Sequence, residues 1–448
     1  MKYEYKSISL PWLSKIPAHW NLVRNKTVLH ETKDTVGVNH ADYQLLSLTK
    51  GGVIIRDLST GKGKFPSDFG TYKIVSEGQI IFCLFDIDET PRTVGLSKYC
   101  GMITGAYDVF AIEGINPRYL EYYYLSLDDV KAMRPLYTGL RKVIGVNAFM
   151  QTHLPLPPRE EQDQIVRYLD WKVSQTNKLI NAKHQQIALL QEKKKSFIHR
   201  TVTKGINPSV RFKDSGEKWI GETPENWPTK PISKISTVVR GASPRPAGSP
   251  RFFNGNHTPW ITVGELTKDD EMLLTSTESY LTADGVQHSR FIEKGTLLFT
   301  NSGATLGVPK ISAIDGCIND GSVALLDLAL KKEYLYFVLK TRTSDLLNQV
   351  SGYGQPNLNT TIVKSIVVPV PSECEQTEIA TFLEEFCAKI DQIISDLHSE
   401  ITLFAEYRTR LISDVVTGKK DVRNVVMPQY EVAGVIIETD ENEIEEEI

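Results

Sequence analysis

At 448 residues the chain is too long for one ordinary domain and suits two or three, and a hydrophobic share of 41% supplies real cores. The net charge of −4 has the wrong sign for a stand-alone nucleic-acid binder, yet Glu431 to Ile448 carries eight acidic residues and no Lys or Arg, and without them the balance is +4. Five cysteines without a C-x-x-C pair (Cys83, Cys100, Cys317, Cys374, Cys387) read as reduced thiols of a cytoplasmic protein. The charged start Met1–Lys6 is no signal peptide, and no apolar run nears the ~20 residues that span a membrane.

In chain order, the first motif is Trp12-x4-Pro17-x2-Trp20, inside residues 10–20, where two aromatics around a proline suit a segment docking on the domain that follows. Residues 21–153 read as mixed strand and loop. Tyr43–Leu48 and Gln79–Phe85 look like buried strands, with glycine turns at Gly51-Gly52, Gly61-Lys-Gly63 and Gly101, and a helix is expected from Tyr119 to Met133. Pro155, Pro157 and Gln162 then lead into a run without Gly or Pro. From Leu169 one face advances by alternate steps of four and three through Val173, Thr176, Ile180, Lys183, Ile187, Leu190, Lys194, Phe197 and Thr201. That is the seven-residue repeat of a coiled-coil seam.

The same order then returns. The aromatic motif recurs 207 residues on as Trp219-x4-Pro224-x2-Trp227, and Glu77–Phe82 has its counterpart in Lys294–Phe299. Shifted by 214, the lead-in becomes Pro369, Pro371 and Gln376, and the seam becomes Leu383, Cys387, Ile390, Ile394, Leu397, Ile401, Phe404, Arg408, Leu411 and Val415. One heptad face alone usually means a core or an oligomer contact. Two copies in one register mean two helices of roughly 45 residues, each about 65 Å long at 1.5 Å per residue, that are natural partners.

The expected fold is therefore α+β. It comprises a first domain over 1–153, a long helix over 154–205, a second domain over 206–367, a second long helix over 368–418, and a tail over 419–448 that is acidic from 431. The polar seam positions Thr176, Lys183, Lys194 and Arg408 either set helix register or snorkel at the seam edge, and the second reading is preferred.

No catalytic constellation shows. There is no phosphate-binding Gly-x4-Gly-Lys-Ser/Thr loop, no His-Glu-x-x-His, no Asn/Asp-Pro-Pro-aromatic signature and no glycine-rich cofactor loop. Glu192-Lys-Lys194 mimics the end of a nuclease motif but lies inside a long helix, the wrong context. The chain by itself is read as no enzyme, with no metal site.

The ordered set of Pro155–Gln162 and Pro369–Gln376 before the helices, Gly241-Ala-Ser-Pro-Arg-Pro246 with Pro259-Trp-Ile-Thr-Val, and Gly352-Tyr-Gly-Gln-Pro-Asn-Leu358 resembles the specificity subunits of type I restriction–modification systems. The resemblance covers nearly the whole chain apart from the acidic tail. The first half departs from it, with Gly139-Leu-Arg-Lys-Val in place of the Gly-Gln-Pro segment. What it implies is a subunit in which each target-recognition domain reads one half of a bipartite, asymmetric double-stranded DNA target. The long helices would pair as an antiparallel coiled coil, set the spacing and dock two methyltransferase subunits, with restriction/translocase subunits joining the full complex. Adenine-DNA methylation and ATP-dependent cleavage, with S-adenosylmethionine, ATP and Mg, would belong to those partners, and this chain would bind no cofactor. A repeated-domain protein–protein scaffold is the alternative, and a complex serving modification alone, without a nuclease, stays open.

Bases are read by Arg, Lys, Asn and Gln at their edges, while other basic contacts to phosphate position the protein. The richest stretch is Arg240 to Trp260, giving Arg245, Arg251, Asn254, Asn256 and His257, with Asn301, Gln355 and Asn357 as further candidates in the second half. The first half offers Lys62, Lys64, Arg92, Arg141 and Lys142. For each, an ordinary loop residue is the competing reading, and the interleaved Phe252, Phe253 and Trp260 are more often core than stacking platforms.

Overall fold

The computed structural model describes residues 3–56, 69–137, 142–301, 306–343 and 359–430. The chain divides into two units, Met1–Gln186 with Leu397–Ile448, and Ile187–Asp396. Each unit contains a mixed domain and a portion of each long helix.

The first unit opens with a hairpin, Tyr5–Leu10 against Leu13–Pro17, which sequence patterning did not reveal. Its central sheet is antiparallel in the order Leu29–Thr32, Asp108–Ile112, Ile80–Phe82, Val94–Leu96. The expected strands are present but shorter, at Leu46–Thr49 and Ile80–Phe82. Gly101 opens a strand, Gly101–Ile103, paired with Lys73–Val75, instead of a turn, and glycine is needed there because a Cβ would lie 2.4 Å from the Gln44 carbonyl oxygen. The helix runs over Pro117–Asp128, not Tyr119–Met133. Asn116 caps it by accepting from the backbone N–H groups of Arg118 and Tyr119, Pro117 supplies a preset first turn, and Lys131 turns left-handed just past its end.

The second unit repeats this plan. A hairpin pairs Phe212–Asp214 with Glu222–Pro224, and the main sheet runs Thr237–Arg240, Ser322–Leu326, Leu297–Thr300, Pro309–Ser312, then Leu273–Leu274. A second sheet of Tyr280–Leu281, Phe253–Ile261, Gly316–Ile318 and Arg290–Ile292 lies in the same unit. The helix Lys332–Lys340 buries Tyr334 to Leu339 in the core.

Two long helices follow the domains: α1, Arg159–Lys204, 46 residues, and α2, Glu373–Val416, 44 residues. The lead-in glutamines explain their motif. Gln162 accepts from the Asn116 N–H at 2.7 Å and donates to the Pro157 carbonyl at 2.8 Å; Gln376 does the same with Lys331 and Pro371, at 2.8 and 2.9 Å. Both amides are buried, so each satisfies two backbone groups that would otherwise be stranded at a helix start.

Within each unit the two helices touch in opposite senses along the chain. In the first, Arg408 donates to the Asn177 carboxamide oxygen at 2.8 Å, and Lys183 pairs with Glu400. In the second, Lys194 pairs with Asp391 at 2.6 Å, and the Phe197 and Phe386 rings lie 4.1 Å apart. Leu169, Ile180, Ile187, Leu383 and Leu411 are buried, while Val173, Leu190, Phe197, Cys387, Ile390, Ile394, Leu397, Ile401 and Phe404 are half-buried. The polar positions do more than snorkel: Lys183, Lys194 and Arg408 each find a partner on the facing helix, a geometry that a slip in register would break. Thr176 donates back to the Lys172 carbonyl in its own helix.

The aromatic motifs close the helix ends. Gly205, at φ +75°, ends α1 beneath the Trp227 ring, and Gly418, at φ +72°, follows α2 against Pro17 and Trp20. Trp20 and Trp227 are fully enclosed. Each motif therefore packs on the far end of a long helix as well as on the domain after it.

Candidate nucleic-acid interface

The surface that gathers sequence-expected groups lies in the second unit, where the strand Thr237–Arg240 runs out into the Gly241–Pro246 loop. Gly241 is required by approach: a Cβ would fall 2.0 Å from the Asn319 carbonyl oxygen. The loop is pinned to Asp320. Ser243 donates to Asp320 Oδ1 at 2.6 Å, Arg245 Nη2 lies 3.4 Å from Oδ2, and Arg240 Nε donates to the Asp320 backbone oxygen at 2.8 Å. The Ser243 hydroxyl, aided by the two arginines, holds the Asp320 carboxyl below its usual pKa against the opposing effect of burial.

The neighbouring strand Phe253–Ile261 carries a bulge. Phe253 and Thr258 both face Leu281, so residues 254 to 257 are looped out between them. Asn254 takes φ +58°, a region Asn tolerates, and Asn254, Asn256 and His257 are exposed. His257 Nδ1 lies 2.8 Å from the Thr258 hydroxyl. Just before the bulge, Arg251 forms a 2.5 Å pair with Asp284 on the short helix Ala283–Gln287. Ser289 then donates to the Ala242 carbonyl at 2.7 Å and binds this segment to the motif loop.

The segments 240–257, 282–290 and 318–322 thus join into one surface that presents Arg245, Arg251, Asn254, Asn256 and His257. His288, beside Phe252 and Asp284, and Arg290, exposed on its strand, belong to the same surface. Sequence reasoning missed these two, because they lie outside the basic stretch and only the strand pairing brings them in. The arginine side chains are about 70% exposed, at 71% for Arg245 and 69% for Arg251, and are aimed by carboxylates. Such groups can exchange a carboxylate for a phosphate or a base edge at low reorganisation cost. Phe252 and Trp260 are buried and Phe253 is half-buried, so the aromatics are core here.

Other candidates are placed differently. Asn301 is fully buried at the end of Leu297–Thr300, and neither side-chain polar atom has a partner among the described residues; it does not lie on the exposed surface. Arg92 is committed to structure. Its Nη1 holds Asp128 at 3.1 Å and Asp129 at 2.9 Å, with Asp128 also taking the Thr93 N–H and hydroxyl. Lys142 pairs with Glu89 and, at 3.3 Å, with Asp88, whose carboxyl is lowered to about 2, first by the Tyr137 hydroxyl. Lys62, Lys64, Arg141, Gln355 and Asn357 lie outside the described residues.

Among the described residues no cluster of His, Cys, Asp and Glu is placed to hold a metal ion, and no helix is long and apolar enough to cross a membrane.

Residues 224–403 match the family described as the type I restriction modification DNA specificity domain. Over 172 residues the chain is 32% identical to the type I restriction enzyme MjaIX specificity subunit of Methanocaldococcus jannaschii, spanning 37% of this chain and 39% of that protein. The putative MjaX specificity subunit of the same organism is 22% identical over 463 residues, covering 94% of this chain and 98% of its own. A chain from a solved structure concerning complex assembly and conformational transition of the type I R-M system shares the fold. Its TM-score is 0.67 at 15% identity, with 90% of this chain and 99% of that chain covered.

Proposed function

We infer the detailed role of this chain from the family it belongs to, the DNA-specificity subunits of type I restriction–modification systems. Each domain reads one half of a bipartite DNA target, and because the halves repeat in architecture but not in side chains, the two half-sites are unequal. The antiparallel helices form a coiled coil that fixes the unread gap and docks two methyltransferase subunits, with restriction/translocase subunits joining the larger complex. The chain recognises and does not catalyse: adenine methylation with S-adenosylmethionine and ATP- and Mg-driven cleavage are partner chemistry. A double-stranded target and a duplicated reader agree in symmetry, since two related domains on paired helices suit the pseudo-dyad of a duplex.

The observation that carries this reading is the Arg245–Arg251–Asn254–His257 surface, where exposed donors are held by buried strands and fixed carboxylates. Such an arrangement offers hydrogen-bond donors to base edges in a set geometry. Co-expression with a cognate methyltransferase subunit, followed by mapping of modified bases in the host genome, tests it. One motif with two unequal halves and a fixed gap is expected, and exchange of residues 21–153 changes one half only. Failure to bind either DNA or the methyltransferase moves the reading to a protein–protein scaffold.

A further inference from the structure

The two units differ at one place where their repeat predicts equivalence. In the first unit, residues 419–430 leave the end of α2 and lie as a strap along the first turns of α1. Gln164 Nε2 donates to the carbonyls of Val422 and Val425 at 3.0 and 2.8 Å, and Val422 is fully buried. The Lys420 ammonium lies 5.4 Å from the Tyr168 ring centre, and Tyr430 donates to the Arg167 carbonyl at 3.4 Å. Under the strap Tyr168 is only 3% exposed.

The 214-residue shift maps Gln164, Arg167, Tyr168 and Trp171 onto Glu378, Thr381, Phe382 and Glu385. In the second unit those four residues, with Ile206 and Thr377, line an open groove of about 490 Å³. Phe382 is 38% exposed and Ile206 42%. The reason is the chain path. After Gly205 only Ile206, Asn207 and Val210 border the first turns of α2, beside Glu375, Glu378 and Ile379, before the chain turns into the hairpin strand Phe212–Asp214, whereas after Gly418 it runs on along α1 to Tyr430.

The chemistry of the bare groove is specific. Gln164 donates to strap carbonyls, but Glu378 is acceptor-only when ionised and calls for N–H or ammonium donors. Glu385 adds a second carboxylate where Trp171 stands in the first unit. Among the described residues neither glutamate has a Lys or Arg partner; Glu378 accepts only from the Cys374 thiol, at 3.5 Å. The strap shows what fits such a surface, an extended segment with apolar anchors (Val422, Val425, Met427) and an excess of Lys419, Lys420 and Arg423 over Asp421.

We propose that the groove over Phe382 receives an extended, basic, apolar-anchored segment of a partner chain, seated on α2 as residues 419–430 are seated on α1. The inference is independent of DNA recognition and holds or falls separately from it.

The test uses the full chain and a labelled synthetic peptide of residues 419–430, whose charge complements the groove. Saturable binding that weakens with salt is expected. Phe382→Asp and Glu378→Lys each lower the affinity at least tenfold, and a peptide carrying K419E, K420E and R423E does not bind. Leu403→Asp, on an exposed apolar side chain of the first unit, leaves the affinity unchanged. Glu378 and Glu385 stand on the surface, so circular dichroism and melting of Glu378→Lys and Glu385→Lys should match the parent, whereas Phe382 also lies 5.9 Å from the Phe197 ring and Phe382→Asp is read only where its melting curve shows it folded. No peptide binding, or binding indifferent to both Phe382→Asp and Glu378→Lys, overturns the proposal. Self-association of the chain, abolished by Phe382→Asp and by loss of its own residues 419–430, also overturns it and makes the occupant a second copy.

Discussion

The Trp20 indole donates to Glu161 Oε1 at 3.0 Å, which ties the first aromatic motif to the opening turn of α1. The Glu161 carboxylate is buried, takes the Tyr3 hydroxyl at 2.5 Å on the same oxygen, and has His19 Nε2 at 2.7 Å from the other. Burial, then the Glu161 hydrogen bond, push the Tyr3 hydroxyl well up, so it stays a donor. In the second unit Trp227 donates to Glu375 Oε1 at 3.1 Å, but Glu375 is only half-buried and keeps the Ser372 N–H and hydroxyl. Removing a donor costs most where the acceptor stays buried. Both side chains are enclosed, so each Trp→Phe change also leaves a cavity; beyond that shared cost, Trp20→Phe should destabilise the protein by about 1–2 kcal/mol more than Trp227→Phe. Urea unfolding of the two variants, compared with the parent, measures the difference; equal losses would count against the buried-carboxylate explanation.

The two helix-ending glycines give a second ordered pair. Both are left-handed, a conformation that costs an L side chain roughly 1–2 kcal/mol. At Gly205 a new Cβ would meet the Trp227 ring at 3.1 Å, but at Gly418 it would meet the Pro17 ring at 2.4 Å. Gly418→Ala should be the more damaging by melting temperature, since the Pro17 ring is fixed in a hairpin strand and cannot rotate away.

The second unit's surface separates reading from scaffolding. Arg245→Ala and Arg251→Ala should each weaken specific DNA binding about tenfold or more, in line with the ~1–3 kcal/mol of one base contact. An arginine that contacts only phosphate would instead lower affinity evenly across sequences and reduce the salt slope by about one. Arg92→Ala should leave DNA affinity unchanged and cost about 2 kcal/mol of stability, because its partners are Asp128 and Asp129 and not the solvent. Competition binding at two salt concentrations, together with melting curves, distinguishes these roles.

How much of this was legible in the sequence depends on distance along the chain. The seam was readable because a heptad is local and its 214-residue echo confirmed the period. The glutamine lead-in was visible as a pattern, but its reason needs Asn116 and Lys331, tens of residues upstream. The partners that aim Arg245 and Arg251 are 75 and 33 residues away, so composition alone could not tell an aimed arginine from a free one. Arg92 and Asn301 show the converse. A basic or polar residue in a plausible stretch was nominated, while the fold had committed one to an ion pair and enclosed the other. The strap over α1 was illegible because it joins the end of the chain to a helix that starts 260 residues earlier; Gln164 and Val425 are separated by 261 positions.

The Ser243–Asp320 hydrogen bond gives the motif loop a defined pH dependence. Asp320 is held below the ordinary carboxylate value of ~3.9, first by the Ser243 hydroxyl. A group with a depressed folded pKa stabilises the fold fully above its unfolded pKa, and that contribution is lost as pH falls through the lower folded value. Ser243→Ala removes the largest cause of the shift. Its penalty in melting temperature should be complete at pH 7, begin to shrink below about pH 4, and disappear once Asp320 is protonated in both proteins. Because Asp320 also orients Arg245, the same variant should weaken DNA binding at neutral pH. A melting-temperature gap that stays constant from pH 7 to pH 3 would mean that Ser243 acts by packing and not through the carboxylate.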